Sequence, residues 1–179
     1  MIILSSLYES ERVSLLLEKI KDIKEIYFRY MRKIVLIFSG ISIFSIVSII
    51  FLQVIMRYIF NSGLRWPNEI AGFIFVWICF IGPIFAFESN ALLKLDYFRE
   101  KLPGKLKIII EFLIESIVLI TLMILIYYGF KNVMNVWSRA TPALRFSYGY
   151  VYLSFPIGFI ILFIGYFLDF FEHLLEEFL

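Results

Sequence analysis

Two carboxylates lie inside an apolar segment, where an ionised side chain is costly. Glu111 and Glu115 are four residues apart, so they share one face of a helix. Carboxylates within a membrane-spanning helix are candidates for coupling an ion. Glu111 also lies roughly 6 Å of helix rise beyond the basic Lys107, with Glu115 one turn deeper, so a lysine partner or snorkelling would satisfy both carboxylates. Two interpretations therefore stay open: proton or cation coupling, and helix packing or contact with a partner subunit.

The other reactive side chains do not form a recognisable site. Cys79, the only cysteine, lies near the centre of an apolar run, where a thiolate is disfavoured, so we interpret it as a buried packing residue. His173, the only histidine, follows the last apolar run, and we expect it to be solvated. No zinc-ligand cluster, nucleophile with a base, or Gly-rich phosphate loop is present in the sequence. We expect no enzymatic activity, no cofactor and no metal in this chain.

The composition is that of a membrane protein. Hydrophobic residues make up 61% of the 179 residues, only 18% are charged, and the mean hydropathy is +0.89, which exceeds what a water-facing surface carries. The net charge of +2 gives no indication of a nucleic-acid partner. Four apolar runs are long enough to cross a hydrocarbon core of about 30 Å; they cover residues 34–56, 70–87, 108–130 and 150–168. The predicted fold is an all-α domain of four transmembrane helices over residues 34–168, with bends at Pro83 and Pro156.

Charged segments flank this domain. In residues 1–33, apolar side chains recur at helical spacing from Val13 to Tyr27, while charged residues occupy the other face. This arm is too polar to span, so it is predicted to be an amphipathic helix that lies in the membrane interface or packs on a partner. The middle loop contains a second such stretch over residues 92–102. Residues 169–179 are expected to form an acidic tail.

Lysine and arginine are distributed unequally between the two sides of the membrane. Twelve lie in the N-terminal arm and the loop between the second and third spans, whereas five lie in the other two loops. The positive-inside rule then places both termini and the middle loop in the cytoplasm. The loops at residues 57–69 and 131–149 are predicted to lie outside.

Two groups of residues are candidates for contact with a partner subunit in the membrane. Ser42 and Ser45 on the first span offer a small-residue face for helix packing, although their hydroxyls could instead bond back to their own helix. Pro67 suits the first position of a helix, and Glu69 then falls in the first turn, near the positive end of the helix dipole. We expect Trp66 and Glu69 to determine how the second span enters the membrane and meets a partner.

The last loop is long enough to present a surface outside the membrane. Its aromatic neighbours are typical of a membrane-interface belt. The candidate docking residues in this loop are Arg139, Thr141, Pro142, Leu144 and Arg145.

One stretch carries a resemblance to a known family. The sequence from Met56 to Glu69, Met-Arg-Tyr-Ile-Phe-Asn-Ser-Gly-Leu-Arg-Trp-Pro-Asn-Glu, resembles the small membrane subunit of tripartite ATP-independent periplasmic (TRAP) transporters. Further matching motifs follow in the family's order: Ile81-Gly-Pro83, Leu95-Asp96, Leu102-Pro103, Thr141-Pro-Ala-Leu144 and Tyr152-Leu-Ser-Phe-Pro-Ile-Gly158. The resemblance covers about residues 34–168. The sequence departs from it at Asn68, where the family often has an acid, and at Leu92, where it often has histidine.

The resemblance implies a multi-pass subunit of the bacterial inner membrane, lying in the lipid bilayer with cytoplasmic termini. The implied transporter takes up an organic acid, such as sialic acid or a dicarboxylate, with a sodium gradient and a periplasmic substrate-binding protein. Sodium and substrate are expected in a partner large membrane subunit, whose scaffold the small subunit supports. The residues alone leave open an autonomous, homo-oligomeric small transporter or channel that uses Glu111 and Glu115, and also a membrane enzyme.

Overall fold

The computed structural model describes residues 2–88 and 104–177. The predicted amphipathic stretch at 92–102 lies outside these residues. The described chain forms five helices: α1 (Ile2–Tyr58), α2 (Trp66–Glu88), α3 (Gly104–Val136), α4 (Gly149–Tyr152) and α5 (Ser154–Glu177). Residues 59–65 and 137–148 connect these helices at one end of the bundle, which we call the loop end.

The prediction of an all-α protein with four membrane-crossing segments is confirmed. Four stretches are long and apolar enough to cross a membrane: Val13–Tyr58, Trp66–Phe87, Phe112–Val136 and Gly149–Leu175. The first, second and fourth stretches contain the predicted spans 34–56, 70–87 and 150–168, whereas the third begins four residues after the predicted start of 108–130 and ends six residues after its predicted end. The helices are longer than the apolar runs because helix formation depends on backbone geometry and propensity. The thickness of the bilayer sets only the length of the apolar run.

The arm and the first span form one uninterrupted helix of 57 residues. Neither glycine nor proline occurs before Gly40, so no residue breaks the helix where the charged arm meets the span. The arm packs on α5 of the same chain. The Lys24 ammonium lies 2.5 Å from Asp169 and 2.6 Å from Glu172, and the Tyr27 hydroxyl donates to the carbonyl of Ile161 at 2.7 Å.

A small core joins the four long helices. Val35, Ile84, Leu122 and Leu162 come from α1, α2, α3 and α5 respectively, and each is at most 8% exposed. Many other large apolar side chains face outward, for example Phe44, which is 74% exposed. Such an exterior suits a bilayer, where helix association depends on close van der Waals packing because lipid tails are themselves apolar.

The fourth span is broken near its beginning, where the sequence predicts a bend at Pro156. Helix α4 ends at Tyr152 and α5 begins at Ser154. Proline has no amide hydrogen to donate to the carbonyl four residues earlier, which here belongs to Tyr152. The Ser154 hydroxyl donates to the carbonyl of Val151 at 2.7 Å, which satisfies a polar group beside the break. In contrast, α2 continues through Pro83 as one helix.

The predicted acidic tail is largely a continuation of α5, which runs on to Glu177. No glycine or proline follows Gly165, so nothing in this sequence ends the helix at residue 168. The extra turns carry Asp169, Glu172 and His173 onto the neighbouring helices α1 and α3.

Candidate functional site

The loop between α3 and α4 has a defined conformation. The amide of Thr141 donates to the carbonyl of Phe146 at 2.8 Å, and the amide of Tyr148 donates to the carbonyl of Arg139 at 2.9 Å. Arg145 adopts a left-handed backbone conformation with φ of 58°, as residues in tight turns do. Residues 137–148 therefore form a compact hairpin-like structure, which we call the loop hairpin.

A carboxylate on α2 holds the tip of this hairpin. One oxygen of Glu69 accepts a hydrogen bond from the amide of Ala143 at 2.8 Å, and the other accepts from the amide of Leu144 at 3.0 Å. Helix α2 begins with Trp66, and the following Pro67 is fully buried, which sets Glu69 in the first turn facing the hairpin. Glu69 thus acts as a clamp within the chain, and contact of Trp66 and Glu69 with a partner stays a prediction.

The five predicted docking residues all lie in the loop hairpin, but they are not equally accessible. Arg139, Pro142 and Arg145 are exposed, Leu144 is half-buried, and Thr141 is only 2% exposed. An apolar ring, that of Phe146, is 58% exposed on the same hairpin. The accessible surface is therefore cationic with an aromatic side chain.

Glu115 is bound by His173, a residue that the sequence predicts to be solvated. Its carboxylate lies 2.6 Å from Nδ1 of His173, and the two side chains are 17% and 42% exposed. The expectation that His173 is merely solvated is therefore wrong, because α5 continues far enough to bring it against α3. Among the side chains that the structure describes, the ion-pair partner of Glu115 is this histidine. The side chain of Glu111 lies outside what the structure describes.

The remaining predicted residues have simple surroundings. Ser42 is buried inside the bundle at 6% exposure, and the Ser45 hydroxyl bonds back to the carbonyl of Ile41 at 2.8 Å. Their role in contact with a partner stays a prediction. Cys79 is exposed on the bundle surface, so the expectation of a buried role is wrong: an apolar helix in a membrane has no need to bury every face within its own chain.

The structure contains a groove that the sequence analysis missed. A cavity of about 990 Å³ opens between α2, α3 and the beginning of the fourth span, at the loop end. Three polar residues on α3 contribute to it: Lys131, Asn132 and Asn135. Their helical spacing just after an apolar run was a signal that could have indicated a polar rim. Over residues 2–88 and 104–177, no group of three or more metal-ligating side chains was found.

A known protein family matches most of this chain. The family described as "Tripartite ATP-independent periplasmic transporters, DctQ component" matches residues 46–176. This range includes the loop hairpin, Glu69, Glu115 and His173.

Individual relatives agree with the family match. A Haemophilus influenzae protein, named as a TRAP transporter small permease protein, is 36% identical to this chain over 87 residues. These residues cover 48% of this chain and 54% of the relative. The sialic acid TRAP transporter small permease protein of Vibrio cholerae is 24% identical over 59% of this chain and 61% of its own length. The match thus spans little more than half of these relatives.

A third relative is a much longer protein. The isethionate TRAP transporter permease protein DctMQ of Oleidesulfovibrio alaskensis is 26% identical over 64% of this chain, and the match covers only 19% of that protein. A segment similar to this chain therefore forms a minor part of a longer permease polypeptide.

Proposed function

The chain belongs to the DctQ component family of tripartite ATP-independent periplasmic transporters, and from this membership we propose that it is a non-catalytic scaffold subunit. As a small subunit of a TRAP transporter, it would widen the fixed body against which the moving parts of a large membrane subunit work. Sodium and substrate would bind in that large subunit. The proposed location is the bacterial inner membrane.

One observation in the bundle carries this proposal. Glu115, a candidate for ion coupling, is paired with His173 of a neighbouring helix at 2.6 Å. Carboxylate and histidine side chains at the middle of a membrane can relay protons, but this pair joins two helices in the last turns of α5, past residue 168 where the fourth apolar run ends. The pairing therefore favours a structural role for Glu115 over an autonomous transporter that uses it.

The partners are proposed from the relatives and from the surface of the loop hairpin. Because a similar segment is joined to a longer permease chain in DctMQ, we expect a separate large membrane subunit to associate with this chain. The exposed cations Arg139 and Arg145 would face a periplasmic substrate-binding protein and attract an acidic patch on it. These contacts would change the rate of association more than the final affinity.

The substrate class is also a proposal. Relatives carry the names of sialic acid and isethionate transporters, and both compounds are organic anions. We propose a small organic acid, of the sialic acid or dicarboxylate class, taken up with sodium ions.

Transport by reconstituted proteins tests the scaffold role. The isolated chain in liposomes should not take up labelled sialic acid, succinate or isethionate, with or without a sodium gradient. Together with the large subunit and the binding protein, uptake should depend on sodium. In that complex, Glu115→Gln should lower the yield of assembled complex but leave the sodium dependence per complex unchanged, because the side chain packs and does not couple.

The control is Glu25→Gln, which removes a carboxylate that is 70% exposed in a surface pair with Arg29 and should change neither property. Sodium-driven or proton-driven uptake by the isolated chain would contradict the proposal, especially if Glu111→Gln combined with Glu115→Gln abolished it. That result would establish the autonomous transporter instead.

A further inference from the structure

The groove at the loop end changes character along its depth. Near the loop end its lining is polar and includes Asn68, Glu69 and Lys131, whereas farther along the helices it is lined by the apolar Val76 and Phe80. Phe155 at the beginning of α5 continues this apolar lining, with its ring 5.1 Å from that of Phe80. A ligand that fills the groove must therefore have a polar end and an apolar end.

The length of the groove matches one leaflet of a membrane. Asn68 and Phe80 are twelve residues apart on α2, which corresponds to about 18 Å of helix rise. Half of a hydrocarbon core is about 15 Å thick. The polar rim therefore lies at the depth of lipid headgroups when the apolar part lies at the depth of acyl chains.

The rim offers hydrogen-bond donors to an anion. The Lys131 ammonium and the side-chain amides of Asn132 and Asn135 come from successive turns at the end of α3 and are exposed. None of the ion pairs found in the described part of the chain engages Lys131. An ammonium with neighbouring amides is suited to a phosphate group, whose oxygens accept several hydrogen bonds.

The rim also carries one negative charge. Each oxygen of Glu69 accepts one backbone amide, and the Thr141 side chain also faces this carboxylate. A carboxylate has about four lone-pair sites, so Glu69 can still accept one further donor. One cation and one anion at the same rim are complementary to a headgroup that carries both a phosphate and an amine. A second negative charge on the ligand, in contrast, would be repelled by Glu69.

We propose that this groove binds one aminophospholipid of the phosphatidylethanolamine type. Its phosphate binds Lys131 and the adjacent asparagine amides, its ammonium binds Glu69, and an acyl chain lies along Val76, Phe80 and Phe155. Gly72 leaves room for that chain, since a Cβ built on it meets nothing within 4 Å. The site would stabilise the loop end from the membrane side, and it does not depend on the proposed scaffold role.

A steric block of the groove tests the site. The full chain, purified with its associated subunits from native membranes, should retain one phosphatidylethanolamine in native mass spectrometry. Gly72→Phe should reduce the retained lipid about tenfold, because the ring would occupy the space of the acyl chain. Gly82→Phe is the matched control: Gly82 is on the same helix, is equally open around its Cβ and does not line the groove, so this variant should retain the lipid.

A competition between two lipids tests the headgroup. Detergent micelles would be supplied with equal amounts of dioleoyl-phosphatidylethanolamine and dioleoyl-phosphatidylglycerol. Both lipids carry a phosphate, but only the first carries an amine. The chain should select the ethanolamine lipid, Lys131→Gln should weaken its retention about tenfold through the lost charge-assisted bond, and Arg139→Gln, outside the groove, should not.

Three outcomes would overturn the proposal. The first is equal retention of both lipids by all variants, which indicates non-specific lipid. The second is unchanged retention in Gly72→Phe. The third is an efficient cross-link from Asn135→Cys to a helix of a large subunit, because that helix would then occupy the groove.

Discussion

The two oxygens of Glu69 connect the first turn of α2 to backbone amides more than seventy positions later in the chain. The side chain therefore fixes the tip of the loop hairpin relative to the bundle. The accessible cations Arg139 and Arg145 lie on either side of this tip, so their presentation to a partner depends on the clamp.

Removal of the clamp should loosen the loop hairpin without unfolding the helices. In Glu69→Ala, the amides of Ala143 and Leu144 lose their acceptors, and we expect their hydrogen exchange to accelerate a few-fold because the site is partly exposed. Cleavage by trypsin after Arg145 should accelerate in parallel. Asn68→Ala changes the neighbouring side chain and should affect neither measurement. Unchanged exchange of the two amides in Glu69→Ala would show that the hairpin holds its own conformation.

The clamp illustrates what a single sequence can indicate about a residue. The position of Glu69 in the first turn of a helix follows from Pro67 two residues earlier, and this local prediction agrees with the structure. The amides that donate to Glu69 could not be inferred, because they lie in a distant loop and no local pattern encodes a contact over such a separation. The same reason explains why the partner of Glu115 was not found: His173 lies 58 positions later.

Close approach of α2 and α5 depends on a glycine. A Cβ built on Gly158 would collide with the carbonyl oxygen of Phe80, and backbone atoms of a packed helix cannot move away as a flexible side chain can. The ring of Phe80 also packs at 5.1 Å from Phe155 and at 6.2 Å from Phe159. The two helices therefore contact each other directly through the backbone at this point.

Gly158→Ala should destabilise the bundle by about 1–3 kcal/mol, the usual cost of overpacking. The measurement is the apparent melting temperature in mild detergent at a fixed scan rate, which should fall. Gly72→Ala serves as the control, since its Cβ meets open space and alanine is favoured over glycine in a helix by up to about 1 kcal/mol. A melting temperature for Gly158→Ala at or above that of the wild type would show that the helices can separate at no cost.

The helices could be predicted from the sequence where they cross the bilayer, because crossing requires a long apolar run. An apolar run of about 20 residues is a strong signal, and all four spans were found from it. The arm was predicted as a helix, but its continuity with the first span and the extension of α5 past residue 168 were not. The charged residues of these segments are accommodated by ion pairs between α1 and α5. Such pairing is a property of the packed chain and leaves no local pattern.

At the scale of the whole molecule, part of the charged arm and the last turns of α5 lie at the same end of the bundle. The arm contacts the last turns of α5 through Lys24, Asp169 and Glu172, so these parts of the two helices lie at the end of the bundle opposite the loop hairpin. An even number of crossings requires the same arrangement. From the positive-inside rule we expect this end of the bundle to face the cytoplasm.

Thiol labelling tests this orientation directly. In a Cys79→Ser background, single cysteines at Ser62 and Ser138, which are both exposed at the loop end, should react with an impermeant reagent in intact spheroplasts. A cysteine at Ser5 should react only after the membrane is opened, because twelve of the seventeen basic residues are on that side and basic segments are retained in the cytoplasm. The Cys79→Ser parent should not react in either condition. Labelling of the Ser5 position in intact spheroplasts, with protection at Ser62 and Ser138, would reverse the topology and move the loop hairpin to the cytoplasm, where it could not meet a periplasmic binding protein.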